Sequence, residues 1–332
     1  MRPFKFTPVT DAASAIALLA KNEHARFIGG GTNLLDLMKE DVERPNELID
    51  ISRLGITKVS TILTGNHSGG VSIGAVGKNA DTANHPLIRQ KYPLLAQAIL
   101  AGASAQIRNM ATNGGNLLQR TRCPYFYDVA MPCNKRQPGS GCGALEGINR
   151  MHAIFGWSEH CVAVYPSDMS VALAALGATV KVRGTAGQER SIAFTDFHRL
   201  PGNTPERDTN LAHGEMVTAI ELPPDNFAGN SYYLKVRDRA SYAFALVSVA
   251  AALELSGSRI VNARIALGGV AHKPWRAFAA ERLLAGKEAT EANFLLAAAE
   301  EMKSAKPLGH NLFKVELGKR AIVRSLQMAM NK

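Results

Sequence analysis

The residues of this chain best placed to do chemistry together are its cysteines. Cys123, Cys133, Cys142 and Cys161 are all the cysteines in 332 residues, with 9, 8 and 18 residues between successive members. Three lie in one polar, Pro- and Gly-rich stretch, TRCPYFYDVAMPCNKRQPGSGC (121–142). Unrelated free cysteines, which are usually buried in strands and helices, would be more widely scattered. Four thiolates are the number that an all-cysteine zinc site and a [4Fe–4S] cluster both require, but no CxxC is present, so spacing alone does not choose between them. The even count also permits two disulfides in an oxidising compartment. A ligand site ranks first, disulfides second and four idle thiols last.

Two glycine-rich loops form a second constellation. FIGGGTNLL (27–35) places three glycines after an apolar run, and ATNGGNLLQ (111–119) places Gly114 and Gly115 between Asn113 and Asn116. Glycine lets the backbone approach a ligand closely, so that several N–H groups converge on one anion such as a pyrophosphate. Thr32 and Asn33 would add side-chain donors. Either loop alone reads equally as a tight turn. Neither is GxGxxG or GxxxxGK[ST], which excludes the Rossmann and P-loop fingerprints. Two loops of one chemistry favour a dinucleotide held between them.

Other reactive groups form no recognisable set. The nine histidines show no HxxxH or HExxH spacing, and His152 and His160 read as surface residues. Ser167 and Asp168 have no partnered histidine, so a hydrolytic triad is not expected. Tyr125, Phe126 and Tyr127 read as packing for the cysteine loop, and Trp275 as packing for a strand end.

Regular elements must hold these loops. TDAASAIALLAK (10–21) has a capping residue and Ala13, Ile16, Leu19 and Ala20 at helical spacing, which predicts a helix leading into the strand before GGG. ELIDIS (47–52), a run near 57–62 and GVSIGAV (70–76) read as strands, and PLLAQAILAGA (93–103) as a helix ended by Gly. SDMSVALAALGA (167–178) reads as a helix with Ser167 or Asp168 as its cap and Gly177 as its terminator, followed by strand ATVKVRG. From about 215 the texture changes. EMVTAIELP, SYYLKVRD, FALVSVAAALEL and RIVNARIALGGV are four strand-like runs, followed by helical patterns near 277–284, 290–303 and 311–329. Strands first and helices after predict an α+β domain with helices on one face of an antiparallel sheet. The boundary is placed in the region of the LPPDN turn, giving domains 1–218 and 219–332.

Composition is that of a globular chain, 46% hydrophobic and 20% charged. The formal net charge is +10, but the 38 Lys and Arg are scattered with few aromatics among them. A basic solvated surface is the reading, and nucleic-acid binding is not expected. The apolar run at 244–255 is far too short for a membrane span. The N-terminal residues show no signal of their own, so the chain is cytoplasmic, or periplasmic if exported with a signal-bearing partner subunit.

The GGGTNLL and ATNGGNLL loops, PSD (166–168), YLKVRDRASYAFALVSVAAAL (233–253) and ALGGVAHKPWR (266–276), in that order, resemble the FAD-binding subunit of the molybdenum hydroxylases, the xanthine dehydrogenase family. The likeness is greatest to the medium subunit of bacterial periplasmic aldehyde oxidoreductases, which carry a cysteine-bearing insertion like that at about 119–165. The resemblance implies a vanillyl-alcohol-oxidase-type FAD domain of two α/β subdomains, followed by a C-terminal α+β domain. It implies that Ile28, Gly29, Gly30, Gly31, Thr32, Asn33, Leu34 and Leu35 wrap the pyrophosphate and adenosine side of FAD. Ala111, Thr112, Gly115, Asn116 and Leu118 form the second loop, with Leu118 near the isoalloxazine. Asp168 accepts from the flavin's sugar or polyol region, and Lys235 places a cation near its pyrimidine end, where the residue alone would read as a solvated strand lysine.

The same resemblance assigns a [4Fe–4S] cluster to Cys123, Cys133, Cys142 and Cys161; Arg120, Arg122, Lys135 and Arg136 around it would favour the thiolates and tune the potential, with surface solvation as the ordinary reading for each. The function implied is that of the electron-transferring FAD subunit of a heterotrimeric aldehyde dehydrogenase or oxidase. Its partners would be a large molybdenum-cofactor subunit and a small [2Fe–2S] subunit. The alternatives kept beside it are a zinc-stabilised binding module with a basic docking surface and a self-sufficient flavin oxidase.

Overall fold

The computed structural model describes residues 1–224 and 226–330. The LPPDN turn expected at the domain junction includes Asp225, which lies outside the described residues.

A small parallel sheet opens the chain. Strands β1 (Lys5–Pro8), β2 (Ala25–Ile28) and β3 (Glu47–Asp50) are ordered β1-β3-β2. The connecting helix Ala12–Lys21 is capped by Asp11, whose carboxylate accepts from Ser14 N at 2.8 Å. It buries Ala15, Ile16 and Leu19. Ala13, expected on that face, is exposed, and Ala12 packs there with the buried residues in its place. The glycine loop leaves β2 at its C-terminal end and leads into helix Leu34–Lys39, where Gly31 adopts φ +71°, a conformation that glycine enters without a steric penalty.

The second unit is a five-stranded antiparallel sheet. β4 (Val59–Thr61), β5 (Val71–Gly74), β6 (Thr179–Arg183), β7 (Glu189–Ala193) and β8 (Met216–Leu222) are ordered β4-β5-β8-β6-β7. Helices Pro93–Ala101 and Asp168–Ala175 pack with this sheet in one core that includes Ile73, Leu95, Leu173 and Ile220. Expected as the first strand of the C-terminal domain, Met216–Leu222 instead pairs with β5 and β6. The edges of the two strands, far away in sequence, supply its hydrogen bonds.

The third sheet comprises β9 (Ser231–Val236), β10 (Val247–Ser256), β11 (Arg259–Gly268) and β12 (Trp275–Arg276), in the order β12-β11-β10-β9 and antiparallel throughout. Its apolar face is covered by helices Phe278–Leu284, Glu291–Met302 and Phe313–Met330. The α+β class expected from the sequence is the one observed. Residues of β9, β10 and β11 also enter the core of the second unit, so the two halves share packing.

The cysteine-bearing segment is packed rather than draped over the surface. Phe126, Ala144, Ala153, Ile154 and Phe155 are all essentially buried. Ile154 and Phe155 belong to the core of the C-terminal half, and Phe155 stacks on Trp275 with ring centroids 4.8 Å apart. Ile154 N and Phe155 N both donate to Val270 O, at 2.8 and 3.0 Å. A segment without helical or strand periodicity is thus held by a few apolar anchors and by backbone hydrogen bonds to its neighbours.

Candidate functional site: the paired glycine loops and the cysteine cavity

The two glycine loops touch. A Cβ on Gly30 would collide with the carbonyl of Met110, and one on Gly29 would stand 2.9 Å from Thr112 Oγ1. Glycine at these positions is what lets the loops close on each other. Thr112 is buried and caps the short helix Asn113–Leu117, its hydroxyl accepting from Gly115 N at 3.2 Å. Asn33 Oδ1 accepts from Arg120 N at 2.8 Å, which ties the first loop to the residues just after the second.

Of the sequence-predicted residues, Ile28 is buried at the end of β2, and Gly29 to Asn33 form the half-buried turn. Leu34 and Leu35 pack on Ile28, Met38 and Leu48. The Ala111 carbonyl accepts from Asn79 N at 2.9 Å. Asn116 is held from both ends of its amide: Oδ1 accepts from Ser167 Oγ at 2.6 Å and Nδ2 donates to Asn79 Oδ1 at 2.7 Å. Leu118 is 41% exposed, open to a ligand or to solvent. Asn33 Nδ2 is buried without a hydrogen-bond partner among the described residues. An orphaned donor beside a loop too tight for side chains fits a bound group rich in acceptor oxygens, since such a buried group is costly to leave unmade.

Asp168 and Lys235 meet. Lys235 Nζ donates to Asp168 Oδ2 at 2.7 Å and to Ala101 O at 3.1 Å, and Tyr233 donates its hydroxyl hydrogen to Asp168 Oδ1 at 2.7 Å. Lys235 is buried, with 5% of its side chain exposed, so it is no solvated strand lysine. Burial and then the Asp168 charge hold the Tyr233 phenol protonated, well above its usual range. Asp168 also opens its helix, capped by Ser167 through Ser170 N at 3.0 Å. A cavity lies against it, lined by Cys123, His152, Ser167, Asp168, Phe244 and Ser248 among others. Ser248 is the register partner of Lys235.

All four cysteines are free and line a second, smaller cavity. Cys133 and Cys142 face each other across an antiparallel bridge, and Cys161 bridges to Ser158. Burial pushes the Cys123 thiol up to about 12 and the Cys161 thiol up to about 11, and the charges of neighbouring cysteines push the same way. Among the described residues no group of three or more His, Cys, Asp or Glu is arranged to hold a metal ion. The four cysteines therefore share a cavity without being drawn together as ligands of one ion.

The basic residues expected to favour the thiolates are otherwise occupied. Arg120 is paired with Glu43 and Asp208, Arg122 with Asp36, and Lys135 with Asp208. Arg136 donates to the carbonyls of Tyr125, Phe126 and Met131. Lys135 alone among them acts on a resolved thiol, lowering Cys161 against the larger effect of burial. The expectation is corrected accordingly: these cations are spent on carboxylates and loop carbonyls.

His152 corrects a second expectation. Read from the sequence as a surface residue, it is 3% exposed and places Nε2 3.1 Å from Cys123 Sγ. Burial, then the Lys314 charge, push its pKa down to about 4, so the ring is neutral near pH 7. No spacing motif marks it. The one local signal is the apolar run Ala153–Ile154–Phe155 directly after it, which anchors this stretch in the core.

Paired glycine loops on a parallel sheet, an antiparallel unit behind them and an antiparallel sheet backed by helices define the class: an α+β protein built to hold a dinucleotide-like cofactor. Residues 2–225 match the FAD binding domain in molybdopterin dehydrogenase, and residues 232–329 match the CO dehydrogenase flavoprotein C-terminal domain. The chain belongs to the family of FAD-binding medium subunits of the molybdenum hydroxylases, and is an oxidoreductase subunit that carries FAD. It is 49% identical over 329 residues to the aldehyde oxidoreductase FAD-binding subunit PaoB of Escherichia coli strain K12, covering 99% of each chain. It is 31% identical over 287 residues to the glyceraldehyde dehydrogenase medium chain of Sulfolobus acidocaldarius, covering 86% of this chain and 82% of that one. Among solved structures, quinoline 2-oxidoreductase from Pseudomonas putida 86 superposes with a TM-score of 0.75 at 25% identity, over 99% of this chain and 98% of the other. Carbon monoxide dehydrogenase from Hydrogenophaga pseudoflava, at 24% identity and a TM-score of 0.76 over 99% and 98%, shares the fold. No helix among the described residues is long and apolar enough to cross a membrane.

Proposed function

We propose that this chain is the electron-transferring FAD subunit of a heterotrimeric molybdenum-cofactor aldehyde dehydrogenase or oxidase. The observation that carries the reading is the end-to-end 49% identity to the FAD-binding subunit of an aldehyde oxidoreductase. The partners in this reading are a large subunit whose molybdenum site oxidises the aldehyde and a small [2Fe–2S] subunit, with no nucleic acid and no membrane span. Bound FAD supplies the electron store that links the small subunit's clusters to a final acceptor. The chain works in the cytoplasm, or in the periplasm if a signal-bearing partner carries it there.

The chain's own residues position the cofactor. Ile28 to Leu35 and Ala111, Thr112, Gly115 and Asn116 hold the pyrophosphate side, with Asn33 Nδ2 as a free donor. Leu118 lies against the ring. Asp168 accepts from the polyol side and Lys235 holds a positive charge near the pyrimidine end, each fixed by the other at 2.7 Å. The zinc-stabilised module is set aside, because the family match covers both halves of the chain. The FAD-binding domain runs through β8, since a division at 218 would cut that strand away from its sheet.

In the same reading Cys123, Cys133, Cys142 and Cys161 hold a [4Fe–4S] cluster. Support comes from four free thiols around one cavity, placed between the second glycine loop and Asp168. A single zinc at ~2.3 Å from each sulfur would draw the sulfurs to about 3.8 Å from one another. An eight-atom cluster instead needs its thiolates set apart around a cavity, and binding it releases their protons.

The test is to purify the chain with its partner subunits and add an aldehyde under anaerobic conditions. The flavin bands should bleach in the three-subunit complex and stay unchanged in the isolated chain. A molybdenum-replete complex whose flavin stays oxidised with a panel of aldehydes, but bleaches with a purine or another heterocycle, would overturn the aldehyde assignment.

A further inference from the structure

Two cavities meet at one cysteine. Cys123 lines the smaller cavity with the other three cysteines and also the larger one beside Asp168, whereas Cys133, Cys142 and Cys161 line only the smaller of the two. At that corner stands His152. Its backbone is fixed on both sides: the N–H donates to Asn149 O at 3.0 Å, and the carbonyl accepts from Asn311 Nδ2 at 3.2 Å and Lys314 Nζ at 3.0 Å. Its ring packs near Tyr125, with centroids 6.2 Å apart. Among the described residues the only polar partner of the imidazole is the Cys123 sulfur, at 3.1 Å from Nε2, and Nδ1 has none. A buried ring with one polar contact, held from its own backbone, is aimed by the fold at that sulfur.

We propose that His152 is a positioning residue that donates an Nε2–H hydrogen bond to the Cys123 sulfur and so raises the reduction potential of the metal centre that Cys123 helps to bind. This inference rests on the [4Fe–4S] reading given above. A metal-bound thiolate has no proton to give, so the hydrogen must come from the ring, which fixes the Nε2–H tautomer. Hydrogen bonds to ligating sulfurs stabilise the more negatively charged, reduced state of an iron–sulfur centre. Because Cys123 alone of the four cysteines borders both cavities, the donor acts on the corner of the centre that faces the cavity beside Asp168.

The experiment is an EPR-monitored redox titration of the full complex with wild-type chain, His152→Leu and His152→Gln, with iron and flavin measured on each sample. Leu removes the donor; Gln keeps an N–H on a side chain of similar reach. The Leu variant should shift the centre to a more negative potential, about a tenfold fall in its reduction equilibrium and hence ~59 mV for one electron. Gln should recover a large part of the shift. Full iron with an unchanged potential in the Leu variant would overturn the inference and leave the cluster reading intact. A wild-type complex with flavin but no more iron than the small subunit's [2Fe–2S] clusters account for would instead overturn the cluster reading itself. If the Leu variant loses its iron, the decision passes to wild-type protein grown with nitrogen-15 histidine. One histidine nitrogen coupled to the reduced centre in pulsed EPR supports the bond, and the absence of any such coupling overturns it.

Discussion

Replacing Gly30 with Ala tests whether the contact between the two loops makes the cofactor site. The added Cβ would overlap Met110 O, stand 2.6 Å from Met110 C and lie 3.1 Å from Ala111 Cα. All three are backbone atoms leading into the second loop, so no side-chain rotation relieves the clash. Normal carbon contacts begin near 3.5 Å, and the loops must therefore part by roughly 1 Å or more. Overpacking of this kind costs about 1–3 kcal/mol. If binding FAD requires the loops to be drawn together, that cost falls on the bound state, and at 1.4 kcal/mol per tenfold the affinity drops between about 5-fold and about 140-fold. The assay is the dissociation constant for FAD by flavin fluorescence quenching on deflavinated protein. Gly55→Ala is the control, since a Cβ there meets nothing within 4 Å, and it should bind as wild type does. A Gly30→Ala protein with wild-type FAD affinity would refute the argument that the loops hold the cofactor between them.

Three further outcomes follow from buried groups. Lys314 is fully buried and, through burial first and Arg150 second, has its pKa pushed down to about 7; the unfolded chain then binds more protons between about pH 7 and 10.5, and stability contributed by this group rises with pH across that window. Lys314→Met should flatten that part of the denaturation-versus-pH profile, and an unaltered slope would show that Lys314 does not titrate there. Removing Asp168 leaves Lys235 buried and unpaired, for about 3–5 kcal/mol, whereas removing Lys235 leaves Asp168 with the Tyr233 hydroxyl and a helix N-terminus to stabilise its charge. Urea denaturation should thus find Asp168→Ala less stable than Lys235→Met, and the reverse order would contradict the pairing. Phe155→Ala removes a buried ring stacked on Trp275 and should cost about 3–5 kcal/mol; a loss below about 1 kcal/mol would mean that the cysteine segment is not anchored in the C-terminal core.

Features carried by neighbouring residues were the ones legible in the sequence. The Asp11 and Ser167 caps, the Gly loops after β2 and before Leu117, and the C-terminal order of strands then helices all follow from local spacing and turn chemistry. Pairing between distant segments was not legible. Nothing in MVTAIEL says that its hydrogen bonds go to β5 and β6 rather than to β9. The Asp168–Lys235 contact spans 67 residues, and a lysine alternating with apolar residues on a strand looks solvated until the opposite carboxylate is placed. The grouping of the cysteines was plain, but not the fate of the charges around them: Asp36, Glu43 and Asp208, remote in sequence, neutralise the arginines and lysine that seemed free to act on the thiols. His152 was hidden for the same reason, since its contact with Cys123 depends on how an aperiodic segment folds back on itself.

The proposed function gives this chain both FAD and a four-iron centre held by its cysteines. Its most direct test is to quantify flavin, iron and zinc on one anaerobically purified sample of the complex containing the wild-type chain, beside one in which Cys133 is replaced by Ser. One FAD per chain is expected in both samples, with about four fewer irons per chain and loss of one reducible EPR signal in the Cys133→Ser sample. Equal iron in the two samples, or zinc lost in place of iron, would contradict it.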